Sequence, residues 1–123
     1  MATTLRGDDN FDTASPIPAG NFTAKAWVNF DGTGTVAIRA DGNVSSITDN
    51  GTGDPTVNFT AAMSDANYGD TYGDTSGTTG AHYMPYIVLA NYATYKTSSS
   101  LRFATYTPGA QQDANSVSVV ISR

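Results

Sequence analysis

The sequence predicts an all-β fold, an antiparallel β-sandwich of about seven strands. Three observations carry this prediction. All eleven acidic residues are Asp, Glu is absent, and Leu occurs only at positions 5, 89 and 101, so two good helix formers are scarce or missing. Thr, Val, Tyr, Ser, Gly and Asn dominate instead, residue types that suit strands and tight turns. Short runs with alternating apolar residues are separated by Asp-Gly and Asn-Gly pairs, which tolerate positive φ and are the strongest local hairpin signals.

Residues 1–24 are polar, carry Pro16 and Pro18, and show neither a helical nor a strand period, so they read as an extended N-terminal arm or linker. Residues 25–123 read as the sandwich domain. Ala26, Val28 and Phe30 alternate on one face of a first strand, which Asp31-Gly32 ends. Val36, Ile38 and Ala40 form a second, which Asp41-Gly42 breaks. Residues 43–48 form a weaker strand around Val44 and Ile47, whose spacing implies a bulge, before Asn50-Gly51. Val57 and Phe59 share a face of the fourth. Three such turns in succession predict an antiparallel meander. Pro55 has no N–H for a ladder, which places it just before a strand or on an edge.

Residues 64–82 read as a long polar loop with a small duplication, Gly69-Asp70-Thr71 and Gly73-Asp74-Thr75. A loop of this length in a compact domain marks binding or an interface. The run from Tyr83 to Tyr95 is apolar on both alternating faces, as expected of a strand covered on both sides. Leu101–Thr107 alternates until Pro108-Gly109. In the closing strand, Ser116–Ser122, Val117, Val119 and Ile121 alternate with serines.

Composition excludes several functional classes. The chain has 123 residues, a mass of 12.8 kDa and a net charge of -5, enough for one domain and adverse to a phosphate-binding surface, so nucleic acid is not an expected partner. Without cysteine there is no disulfide, thiolate nucleophile or zinc-thiolate site. No apolar run reaches the length of a membrane span, and MATTLRGDDN lacks the apolar stretch of a signal peptide. His82 is the single histidine and has no Ser in a nucleophile-elbow context. No spacing singles out a carboxylate pair. No catalytic set, cofactor or metal is therefore expected. The segment Asp49-Asn50-Gly51-Thr52-Gly53-Asp54 offers oxygen ligands, but it departs from the EF-hand pattern and lacks its closing Glu. Turn chemistry accounts for it better.

The aromatic residues are more informative. Trp27 falls on the strand face opposite Val28 and Phe30, which makes it a second core, a subunit interface or an exposed stacking platform. Seven tyrosines cluster mainly in the second half, and tyrosine gives large amphipathic contact area at low entropic cost.

The stretch KAWVNFDGTGTVAIRADGNVSSITDNGTGDPTVNF, Lys25–Phe59, resembles a segment common in tail-fibre and related appendage proteins of bacteriophages. Thr60–Tyr68 (TAAMSDANY) is similar to the element that follows in that family, and the closing VSVVIS to its last strand. Ser64 stands where the family has Pro, Pro55 where an aromatic is common, and a Gly/Asp/Thr run follows Tyr68 in place of an apolar strand. The resemblance implies a fibre or spike module made in the host cytoplasm and carried on the virion surface. It implies a homotrimer of β-sandwich subunits, associated with other tail or capsid proteins, that attaches without catalysis to a host cell-surface glycan or protein.

On this reading Tyr68, Asp70, Tyr72, Asp74 and His82 are expected as receptor contacts in the loop, with Tyr106 beside them. Trp27, Tyr86 and Tyr92 are expected in the core or trimer interface. The alternative is a small structural virion protein, a capsid decoration or fibre cap, docking through its arm. A glycan-degrading enzyme is disfavoured, because depolymerising spikes are long β-helices and this chain is too short to build one.

Overall fold

A computed structural model describes residues 23–73, 84–86, 92–106 and 109–123; for Met84–Tyr86, Tyr92 and Ala93 it describes the backbone alone. The strands in chain order are β1 (Ala24–Asp31), β2 (Ala37–Gly42), β3 (Val44–Asp49), β4 (Pro55–Phe59), β5 (Gly69–Tyr72), β6 (Met84–Tyr86), β7 (Ser100–Arg102), β8 (Ala104–Tyr106) and β9 (Val117–Ser122). A single helical turn, α1 (Tyr92–Tyr95), precedes β7. The strands form a four-stranded sheet, β2-β1-β9-β5, a three-stranded sheet, β3-β4-β7, and a short β6-β8 pair. All pairings are antiparallel.

The two larger sheets bury their apolar faces against one another, as a sandwich requires. Ala26, Val28 and Phe30 of β1 and Val117, Val119 and Ile121 of β9 meet Val57 and Phe59 of β4 and Leu101 of β7. Phe30 and Phe103 are fully buried, with ring centroids 6.5 Å apart. The alternation read from β1, β4 and β9 is thus the alternation that fills the core.

The expected meander is interrupted once. β1–β2 and β3–β4 are hairpins, but β2 and β3 lie in different sheets. The corner is Asn43, whose φ is +58°, a conformation that Asn tolerates better than most residues. Its side chain locks the turn. Nδ2 donates to the Lys25 and Ala61 carbonyls, each at 3.0 Å, and Oδ1 accepts from the Ala61 N–H at 2.7 Å. An Asp-Gly signal reports a reversal; here the residue after it sends the chain across the sandwich. The predicted β3 bulge lies between Val44 and Ser46, and Pro55 opens β4.

Three other expectations change. The polar loop after residue 64 contains β5, which extends the four-stranded sheet through backbone pairing with β9. The run ending at Tyr95 is not one continuous strand: residues 92–95 form a helical turn. The strand predicted over Leu101–Thr107 is divided at Phe103. β7 pairs with β4 and β8 with β6, while the backbone keeps the β4–β7 register past the division: Phe103 donates its N–H to Pro55 O at 3.2 Å and Thr105 donates to Gly53 O at 2.9 Å.

Candidate binding surface

The outer face of the four-stranded sheet carries the two large apolar side chains that are exposed among the described residues, Trp27 at 43% and Val120 at 38%. They are cross-strand partners, and the same register row runs Gly42–Trp27–Val120–Thr71 over all four strands. The adjoining row holds Ala40, Asn29 and Ser118. Small residues around one large aromatic leave that aromatic accessible.

Gly42 sets how the indole lies. A Cβ built on Gly42 would collide with the Trp27 pyrrole ring, 2.7 Å from Cδ1 and closer still to Nε1. The ring therefore lies over the Gly42 backbone, in the manner of an aromatic covering a strand glycine. One side of the indole rests on β2 and the other is left to solvent. Beside it, Asn29 Nδ2 donates to Ser118 Oγ at 2.9 Å and to Val117 O at 3.4 Å. These bonds fix the amide and leave its Oδ1 and the Ser118 hydroxyl proton without protein partners among the described residues.

The residues expected in a receptor loop are distributed differently. Tyr68 is a core residue, 4% exposed. Its ring packs edge-on against Phe59, and its hydroxyl donates toward Thr97 O at 2.9 Å and Ser100 O at 3.1 Å. Its expected role as a loop contact is corrected: the chain buries Tyr68 just before β5 and uses its hydroxyl to hold the 97–100 turn. Asp70 faces inward on β5 and pairs with Lys96 at 2.5 Å, with both side chains largely buried, at 14% and 8% exposure. The Lys96 ammonium also lies 4.7 Å from the Tyr68 ring centroid.

Tyr72 points inward too. Its ring meets Phe103 edge-on at 5.0 Å, and its hydroxyl is buried without a hydrogen-bond partner among the described residues. Burial first, and the neighbouring Asp70 charge second, push this phenol above its ordinary range. Asp70 and Tyr72 are therefore corrected from loop contacts to inward residues of β5. Tyr106 is half-buried on β8, in register with Met84. Asp74 and His82 lie outside the described residues. Tyr86 and Tyr92 are described by backbone alone, in β6 and α1. Trp27 is corrected from any core role by its exposure.

The acidic turn serves structure. Asp49 Oδ1 accepts the Gly51 N–H at 2.9 Å, Asp113 Oδ1 accepts that of Gly53 at 2.6 Å, and Asp54 clamps Arg102 through two bonds of 2.8 and 2.6 Å. That pairing raises the Arg102 pKa, and the guanidinium stacks on Tyr95 at 4.7 Å. No metal-holding group of acids and histidine occurs among the described residues.

A hollow of about 280 Å³ adjoins the start of β1, lined by Lys25, Asn43, Ala61, Ala62, Met63, Ser64 and Arg123. Arg123 is engaged with Asp65 at its rim.

Sequence reasoning missed Val120, Asn29, Ser118 and Thr71 as one surface. A signal for it was present: in VSVVIS, Val120 departs from the apolar/serine alternation and falls on the same side as the serines. No protein-family model, curated protein or solved structure matches the chain.

Proposed function

We propose that this chain is a non-catalytic attachment module of a bacteriophage tail fibre, recognising a host cell-surface molecule by non-covalent contact. The supporting observation is the solvent-facing Trp27–Val120 pair, with Gly42, Thr71, Ala40, Asn29 and Ser118 in its own and the adjoining register row. The large apolar side chains described elsewhere are buried or half-buried in the sandwich, so this face has no role in the core to explain it. The Lys25–Phe59 resemblance to phage appendage proteins supplies the biological setting. A two-sheet antiparallel fold agrees with it.

The trimer belongs to this proposal. Symmetry would repeat one modest site three times, and avidity then supplies what a single site lacks.

The test is competition. Purified chain added to susceptible cells should reduce adsorption of phage that carry it, and labelled chain should bind those cells. Cells that neither bind the chain nor lose phage adsorption at saturating protein would overturn the proposal and favour a structural virion protein docking through residues 1–24.

A further inference from the structure

The geometry points to a neutral pyranose unit of a glycan as the ligand of the outer sheet face, stacked on the open side of Trp27. The inference deepens the attachment reading and takes its setting from it, while its chemistry stands on the surface alone.

The first argument is shape. An indole packed against Gly42 with 43% of the residue exposed offers a flat apolar surface to solvent. A pyranose with equatorial substituents has a face made of C–H groups, and such a face packs on an aromatic ring while its hydroxyls point outward around the rim.

The second argument is the rim. Asn29 Oδ1, the Ser118 hydroxyl and the exposed Thr71 hydroxyl have no protein partner among the described residues. Neighbouring strands lie about 4.8 Å apart and same-face residues about 7 Å apart along a strand. These groups therefore stand at the reach of one sugar's substituents, or of the next unit in the chain. The Asn29 amide is already fixed by its bonds to Ser118 and Val117, so ordering it costs the complex little.

The third argument concerns a protein occupant. Exposure of 43% of Trp27 and 38% of Val120 leaves less than about 200 Å² of large apolar side chain, against roughly 450 Å² of non-polar surface per partner in a standard protein interface. The area suits one or two sugar rings.

Charge selects the class of glycan. The Trp27 row and the Asn29 row contain no charged residue, Lys25 is the exposed cation two residues before Trp27 on β1, and the chain carries a net charge of -5. The uncharged rows and the net negative charge disfavour a polyanion and favour neutral, equatorial-rich units.

Trp27 is the single tryptophan, so emission excited at the red edge, where the seven tyrosines do not absorb, reports on this site. The full chain is titrated with cellohexaose and with a β-1,4-linked galactohexaose, and with polygalacturonate as the acidic counterpart. The expected result is a saturable change in emission with at least one neutral oligomer, with a midpoint of about 0.1–10 mM. Calorimetry should show binding weakened by about tenfold or more in Trp27→Ala and by no more than about fivefold in Trp27→Tyr, which keeps an aromatic face.

Unchanged emission with both neutral oligomers to tens of millimolar, or tighter binding of the polygalacturonate, overturns the inference. So does emission that is already blue-shifted and unquenchable in the free chain, which would mean that another copy covers the face. The titration uses the unmodified protein, so it is read even if Trp27→Ala fails to fold. The two proposals separate cleanly. A chain that competes for adsorption with a silent Trp27 keeps the attachment reading and loses this inference. A chain that binds neutral sugar but does not compete does the reverse.

Discussion

Tyr72 shows how a residue chosen for recognition is reassigned by its partners. Its ring is held against Phe103 and its hydroxyl is buried and unpaired among the described residues. An unsatisfied buried hydroxyl costs free energy that phenylalanine would not. Tyr72→Phe is therefore expected to raise stability by about 0.5–1 kcal/mol, read as a shift in the denaturant midpoint at constant slope, with receptor binding unchanged. Asp70 gives the opposite case. It pairs with Lys96, which is 8% exposed, and removing one member of a largely buried pair deprives the other charge of its carboxylate partner. Asp70→Ala should cost about 3 kcal/mol in urea unfolding, whereas a surface contact would cost almost nothing. Both residues looked like loop contacts because their local sequence is polar and rich in Gly and Thr. Their inward direction is fixed by register with Val119 and Ile121 on β9, a long-range pairing that no local pattern encodes.

Individual strands were legible wherever alternation and turn chemistry agreed. β1, β4 and β9 follow the apolar period of two, and the β1–β2 and β3–β4 hairpins sit at Asp-Gly and Asn-Gly signals. The elements that were not legible depend on partners distant in sequence: β5 on β9, and β8 on β6, beside the stretch where Phe103 and Thr105 bond the Gly53–Pro55 backbone. Gly53 marks that junction. Its φ is +64°, and a Cβ there would lie 2.7 Å from backbone atoms of Gln112 and Thr105. Gly53→Ala should lose about 2–3 kcal/mol of stability by thermal or urea unfolding, since neither the dihedral nor the crowded backbone relaxes easily.

The β1–β2 turn carries a pH dependence. The Thr33 hydroxyl at 2.6 Å and its N–H at 2.9 Å, with Arg39 nearby, hold the Asp31 carboxyl below its ordinary value of 3.8. A carboxyl with a depressed folded pKa stabilises the fold above its unfolded pKa and loses that contribution as pH falls through the folded value. Asp65, bonded to Arg123 and the Asn67 N–H, shifts in the same direction. Stability should accordingly fall below about pH 4, and Asp31→Asn should flatten that slope when unfolding midpoints are compared from pH 5 down to 2.5.

At the scale of the whole molecule, a two-sheet sandwich carries one accessible aromatic plate. The sandwich class was readable from composition and turns, because those properties are local and repeated. The plate was half readable. The alternation on β1 put Trp27 opposite the core face, but its accessibility depends on the small residues that β2, β9 and β5 place around it. Assembly matters at this scale. The proposed trimer of the 12.8 kDa chain would have a mass of about 38 kDa, and the attachment proposal requires its closed symmetry to leave the Trp27 face outward.

The most direct test of that claim is acrylamide quenching of Trp27 fluorescence on the protein as it assembles, with its mass read in parallel by light scattering. An accessible Trp27 gives red-shifted emission that is readily quenched in every species, including one of about 38 kDa. Blue-shifted emission protected from acrylamide in the assembled species would contradict it, because Trp27 would then be packed between subunits.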